Sequence, residues 1–407
     1  MFSFSRIFGK NTQPAMAFQA ASAESAPPVN LPVEALGTAA GRDGGAQKPA
    51  AEKPYPWILN PTLDWMFACG GLLWLLWGAF MLGAQPALNA GIAAGAMWFI
   101  AKLGLITFSY GHQPATLWRV YMSKRTREQC GLTVTIWLGV AIAALCAGIF
   151  VKGFVEVFVK LVIWWQIQHV LAQSYGVALI YCYKRGYFMN ELEKRTFYWM
   201  IHASVAFFII RSCTFPEFSK LRLPFNMQVP FWGPLPMPVY NVAAVVAGGL
   251  AIAFLYNIYA KWKRDGKMFP MPALAGVATG MLTYQFSMLF FHTGFALLTI
   301  AFYHGCQYLV VTSSYYLKER GLPEGLTSAQ VSRALLSGPA VRYFLAVIVV
   351  GVLLSDTLPR VLSFYGIGIS IAATYTAVFA AFNFHHYFSD ALIWRLKDPE
   401  LRKILIA

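Results

Sequence analysis

The sequence predicts an all-α protein: a polytopic transmembrane helix bundle of about ten spans with both termini cytoplasmic. Three observations predict it. Of 407 residues, 58% are hydrophobic and only 12% charged, whereas soluble domains are about 25% charged. Apolar runs of about 20 residues recur, each long enough to cross about 30 Å of hydrocarbon as a helix. Basic residues alternate between successive connections, as membrane topology requires. Strand-like alternation of apolar and polar residues is missing, so a transmembrane β-barrel is not expected.

The elements follow in order. Residues 1–54 are rich in Ala, Pro, Gly and polar residues, cannot bury enough surface to fold alone, and read as a disordered cytoplasmic tail. The transmembrane domain is expected over 55–407. Its spans are placed at 64–84, 88–111, 132–152, 155–183, 196–213, 239–260, 269–291, 294–317, 341–359 and 362–394. With these limits, 25 Lys and Arg residues fall on one side and 4 on the other. The excess marks the cytoplasmic side. The net charge of +15 is therefore topological, and nucleic acid is not an expected partner. The six cysteines are scattered without C-x-x-C spacing and read as small apolar fillers rather than a disulfide framework or zinc site.

All seven histidines fall in or at the end of an expected span. Ionisable residues are costly in a membrane and usually functional. At 1.5 Å per residue, His112, His202 and His386 lie roughly 10–14 Å from the cytoplasmic charges, and His169 and His304 roughly 21–23 Å. His292 lies at the opposite end of its span. Helical spacing then groups the polar residues into stripes. Ser109, His112, Thr116 and Arg119 share a face of the second span, where Pro114 is expected to kink or end the helix. Gln166, His169, Gln173 and Gly176 share a face of the fourth. His304, Gln307, Tyr308 and Thr312 line the eighth, and Asn383, His386 and Asp390 the tenth, with His385 about 100° away.

Imidazole suits iron, copper and zinc, and a carboxylate adds charge and hardness. The candidate metal ligands are His112, His169, His304, His385, His386 and Asp390. Gln173 and Gln307 are candidate cofactor-site partners that fix imidazole tautomers. Tyr308 is a candidate catalytic residue, as is Arg119, which either holds an anionic head group or faces lipid phosphate. His202 and His292 read as interhelical hydrogen-bond partners. No Walker loop, G-x-S-x-G or Rossmann glycine pattern occurs, so nucleotide or triad chemistry has no support.

The expected function is a membrane-embedded, metal-dependent oxidoreductase, with iron as the metal and a lipid or isoprenoid-like substrate. A proton-coupled transporter using the His and Asp stripes, and a haem-binding membrane protein or assembly factor, are the alternatives. Membrane lipid and a lipophilic small molecule are the expected partners.

The stretch FNFHHYFSDALIWRLKDP (residues 382–399) resembles a C-terminal signature of bacterial multi-span membrane proteins of unassigned activity. HQPATLWRVY from His112, QHVLAQSYG from Gln168 and YHGCQYLVV from Tyr303 resemble its companions. The resemblance implies a bacterial inner membrane location. A looser similarity is to membrane non-haem iron oxygenases. Desaturases carry H-x-x-x-H and H-x-x-H-H boxes, of which this sequence has only the His385–His386 pair. Retinal-forming membrane dioxygenases are closer in style, since their iron histidines come singly from separate helices.

Overall fold

The computed structural model describes residues 55–79, 99, 103–217, 229–289, 295–322, 327–365 and 370–406. The expected tail over 1–54 and His292 lie outside the described residues, as does the segment 80–98, which holds the end of the first expected span and the first part of the second. All regular structure among the described residues is helical.

The first expected span is not one helix. Pro61–Leu63 starts on Asn60, whose side chain accepts from the Leu63 N–H, and runs into a π-segment over Asp64–Ala68. The chain then turns at Gly70 (φ +87°) before α1, Gly71–Ala79. Left-handed backbone favours glycine, and here a Cβ would also collide with Thr279. The break frees carbonyls that hydrocarbon cannot satisfy. Side chains do so instead: Thr279 Oγ1 donates to Cys69 O (2.8 Å) and Gln307 Nε2 to Ala68 O (3.0 Å).

A second π-segment, Leu105–Tyr110, leads directly into α2, Gly111–Met122. Pro114 lies inside this helix, so of the two sequence expectations it does not end it. Proline removes the hydrogen bond to the carbonyl four residues earlier, that of Tyr110. The π-turn re-aims this stretch, and the Tyr110 carbonyl packs where a Cβ at Gly351 would stand. The Phe108 carbonyl packs in the same way on Gly305. Two glycines therefore let two helices clasp the π-segment just ahead of His112.

The long helices follow: α3 (Lys124–Phe150), α4 (Phe154–Lys184), α5 (Glu191–Thr214), α6 (Met237–Asp265), α7 (Met271–Leu289) and α8 (Phe295–Glu319). The Ser123 side chain accepts from Thr126 N at the start of α3, and Asn190 with Glu193 forms a capping box on α5. After a short α9 (Ser328–Leu335), α10 (Gly338–Val352) continues through a π-segment into α11 (Leu358–Phe364). The tenth expected span, placed at 362–394, starts later, because Ser370 caps α12 (Ile371–Ile393); α13 (Pro399–Ile406) closes the chain.

Among the described residues, five helices are long and apolar enough to cross a membrane: α3, α4, α5, α6 and the composite Gly338–Phe364. This marks the chain as a membrane protein. α8 and α12 are of similar length (25 and 23 residues), but their buried positions hold His, Gln, Tyr, Asn and Asp. α2 and α4 each pack against both α8 and α12, enclosing a four-helix core. α5 and α6 pair with each other, and α5 packs on the outside of α4.

Candidate metal centre

Each of the four core helices delivers one imidazole to a common point. His112 comes from α2, His169 from α4, His304 from α8 and His386 from α12, and all four are buried. Their rings form a closed circuit. The centroids of His112 and His304, His304 and His169, His169 and His386, and His386 and His112 are 4.8, 4.9, 4.9 and 4.7 Å apart. The diagonal from His304 to His386 is 5.9 Å. Asp390, one turn beyond His386 on α12, adds a carboxylate. Its Oδ2 is 3.6 Å from both His169 Nε2 and His386 Nε2.

Helix periodicity places His386 and Asp390 on one face. The approach of α2 to α8 is set by Gly305: without a Cβ next to His304, the backbone at Phe108 and Ser109 lies directly against α8. That contact brings His112 to His304.

The hydrogen-bond network fixes how two imidazoles present themselves. His112 Nδ1 donates to the Ser109 carbonyl, so its Nε2 lone pair faces inward. Tyr308 Oη and Thr116 Oγ1 lie 2.8 and 3.0 Å from Asp390 Oδ1 and 2.6 Å from each other, so one of the two hydroxyls donates to the other and the second donates to the carboxylate. A threonine hydroxyl has one proton. The 2.8 Å contact between Thr116 Oγ1 and His386 Nδ1 is therefore a donation from His386, which leaves its Nε2 lone pair facing Asp390 Oδ2. Trp394 Nε1 donates to Tyr308 Oη (3.1 Å) and completes the chain of supports. Such outer partners set both tautomer and orientation in metal sites.

The inward atoms have no hydrogen-bond partners. Nε2 of His112, His169 and His386 and both ring nitrogens of His304 are buried and unpaired. A buried polar atom left unpaired costs about 1–3 kcal/mol, and a lone pair aimed at a carboxylate adds repulsion. A proton on Asp390 relieves one such contact and a proton on His169 Nε2 the other, whereas a single cation relieves both. Donor atoms of His112, His304 and His386 lie within 4.8 Å of one another, as do those of His169, His386 and Asp390. Ligands about 2.1 Å from one ion are at most about 4.2 Å apart, so each of these two triads, which share His386, must draw inward to hold an ion.

Five of the six sequence-named ligands thus converge, and His385 does not. It sits about 100° round the helix, bonds toward Ser389 and the backbone of Val134, and is packed against α3. Gln173 and Gln307 touch no imidazole nitrogen. Gln173 Nε2 donates to the His304 carbonyl (3.1 Å) and to Gln307 Oε1 (3.0 Å), and Gln307 also bonds Tyr303 and Ala68. These residues brace α4, α8 and the Gly70 break, because their side chains extend one turn away from the imidazoles. Arg119 does not face lipid. It is buried, stacked between Trp394 (3.6 Å) and Tyr315 (4.1 Å), and donates to the last carbonyl of α12 at Ile393 (2.7 Å). His202, expected to bridge helices, bonds Tyr198 O in its own helix (2.9 Å).

Thr116 and Trp394 were not among the sequence-named candidates for this site. Thr116 stood in the His112 stripe, but its contact with three site residues at once depends on the meeting of α2, α8 and α12. Tyr387, which lies along the His169 ring (4.4 Å), gave no sequence signal separating it from packing aromatics. Comparison with protein-family models, curated proteins and solved structures finds no match for this chain.

Proposed function

We propose that this protein is a membrane-embedded, metal-dependent oxidoreductase that acts on a lipophilic substrate, with iron held by His112, His169, His304, His386 and Asp390. The observation that carries the reading is the convergence of buried imidazole nitrogens without hydrogen-bond partners from four helices, two of them 3.6 Å from one carboxylate oxygen. Imidazoles with a carboxylate suit non-haem iron, and iron bound there would supply dioxygen activation. The chain's own residues have separate tasks. Ser109 and Thr116 hold the tautomers of His112 and His386, Tyr308 and Thr116 hold Asp390, and the surrounding helices exclude water. An apolar bundle admits an apolar substrate. A haem is disfavoured by the packing, since two axial imidazoles would need an open plane between them and the other two rings occupy it. The ten-span topology with cytoplasmic termini in a bacterial inner membrane belongs to the same proposal, and the 25-to-4 charge asymmetry supports it.

Metal analysis and an optical spectrum of the purified full-length protein test the proposal. The expected result is one iron per chain without a Soret band, and loss of iron in His304→Ala and His386→Ala. A protein that neither retains nor takes up metal, yet drives pH-dependent flux in vesicles, would establish the transporter reading instead.

A further inference from the structure

The candidate metal centre is sealed. None of its five ligands is more than 8% exposed. A soluble electron donor therefore cannot touch the metal, and any electron that an oxidoreductase draws from such a donor must cross protein.

Two aromatic routes lead away from the imidazoles. On one, the Tyr308 ring lies 5.4 Å from His386 and 5.8 Å from His112, between ring centroids. Trp394 is 5.9 Å from Tyr308, and Tyr315 is 5.9 Å from Trp394. Tyr315 Oη donates to Glu319 Oε1 (3.2 Å), and Glu319 is exposed at the end of α8. On the other, Tyr387 lies 4.4 Å from His169, Trp165 is 5.9 Å further and Phe384 another 5.7 Å.

Ring spacing does not separate the two, but the hydroxyls do. A phenol that loses an electron becomes a strong acid and sheds its proton, so it needs a base at hand. Tyr308 Oη is 2.8 Å from Asp390 Oδ1 and 2.6 Å from Thr116 Oγ1. Tyr315 has Glu319. Tyr387 Oη is buried and has no hydrogen-bond partner among the described residues, and its route continues on a phenylalanine, which is far harder to oxidise. Only the first route sets a carboxylate beside each tyrosine.

We propose that Tyr308, Trp394 and Tyr315 form an electron relay that connects the metal centre to a soluble one-electron donor protein at the Glu319 end of α8. The relay rests on the metal reading and deepens it. Tyr308 yields one electron to the oxidised metal and its Oη proton to Asp390 Oδ1, directly or through Thr116 Oγ1. Tyr315 then refills Tyr308 through Trp394: its electron crosses the indole, its proton moves to Glu319, and Asp390 returns the proton to Tyr308. The donor reduces Tyr315, which recovers its proton from Glu319. Each cycle moves one electron inward and no net proton. The Arg119 guanidinium lies 3.6 Å over Trp394 and 4.1 Å over Tyr315 and opposes positive charge on either ring. A tyrosine avoids that charge by giving up its proton, so Trp394 is the bridge and the tyrosines are the stopping points.

The test uses the full-length, iron-loaded protein in nanodiscs. Stopped-flow reduction of its ferric iron by the methyl viologen radical is followed per bound iron. Tyr315→Phe keeps the ring and removes only the hydroxyl, and Trp394→Phe removes the indole. Each should slow reduction by about tenfold or more, equal to about 1.4 kcal/mol of barrier, while Tyr387→Phe should leave the rate unchanged. Freeze-quench electron paramagnetic resonance after mixing the ferrous protein with dioxygen should show a tyrosyl radical. Ring-deuterated tyrosine should narrow the signal and Tyr308→Phe should abolish it. Should Trp394→Phe not fold, Tyr315→Phe carries the test alone. An unchanged rate in Tyr315→Phe, an equal slowing in Tyr387→Phe, or bound iron without a tyrosyl radical would overturn the relay and leave the metal reading standing. Absence of bound iron overturns both, and metal analysis tells the two failures apart.

Discussion

Two regions bury polar groups, and they treat them in opposite ways. Where α5 meets α6, Glu193 accepts from Tyr187 Oη (2.5 Å), from the Asn190 backbone (2.7 Å) and from Lys261 Nζ (3.2 Å), and Lys261 also donates to the Phe188 carbonyl. The bonding capacity of the carboxylate is well used within the chain. In the four-histidine core the outward-facing atoms of His112, His386 and Asp390 are equally well held, by Ser109, Thr116 and Tyr308. The inward-facing nitrogens have no hydrogen-bond partner. Burial of charge alone therefore does not separate a structural site from a functional one. The separation lies in whether the bonding capacity is used up or left facing a common point.

Substitutions can break this comparison. Glu193→Ala leaves Lys261 buried without its carboxylate and should cost about 3–5 kcal/mol of stability, with metal content per folded chain unchanged. Thermal unfolding paired with metal analysis checks both halves. An effect on metal content without an effect on stability would reverse the assignment of the two regions.

Gly305→Ala drives a methyl group into the Phe108 carbonyl. It should cost about 1–3 kcal/mol, as overpacking does, and unlike Glu193→Ala it should also weaken metal binding, by separating His112 from His304. Thr116→Val keeps the shape but removes the acceptor that fixes His386. Metal affinity should fall by about 10–100-fold, and the metal-free protein should lose about 1–3 kcal/mol because His386 Nδ1 is left buried without its partner; competition with a chelator and thermal unfolding measure the two. His385→Ala gives the smallest effect on metal. Stoichiometry should match the unsubstituted chain, and a fall like that expected for His386→Ala would restore His385 to the ligand set. Chelation sharpens the comparison further. Bound metal stabilises the folded state, so its removal should lower the Tm of the unsubstituted protein and leave that of His304→Ala unmoved.

Much of the helical framework was legible because the relevant physics is local. The span expected at 155–183 appears as α4, Phe154–Lys184, and that at 239–260 as α6, Met237–Asp265; runs of apolar residues of that length form helices wherever hydrocarbon must be crossed. The reading went wrong where backbone geometry answers to neighbours. Gly70 breaks the first span because Thr279 and Gln307 stand ready to bond the freed carbonyls. Pro114 stays within α2 because a π-turn and Gly351 accommodate the Tyr110 carbonyl. Neither glycine differs in sequence from those lying within intact helices.

The candidate site divides along the same line. By itself the sequence determined that His112, His169, His304, His386 and Asp390 lie on polar stripes, since the helical period relates residues three and four apart on one chain segment. It also placed His385 off the His386 stripe, although it counted both as ligands. Only the tertiary structure decided which stripes meet. Gly305 lets α2 and α8 approach, Thr116 is reached by His386, Tyr308 and Asp390 together, and Gln173 and Gln307 are drawn into bracing a helix break. Arg119, expected to hold an anionic head group or face lipid phosphate, is a buried cation with N–H groups to spare. Periodicity states which face a residue occupies, but what that face touches depends on helix contacts between residues far apart in the chain.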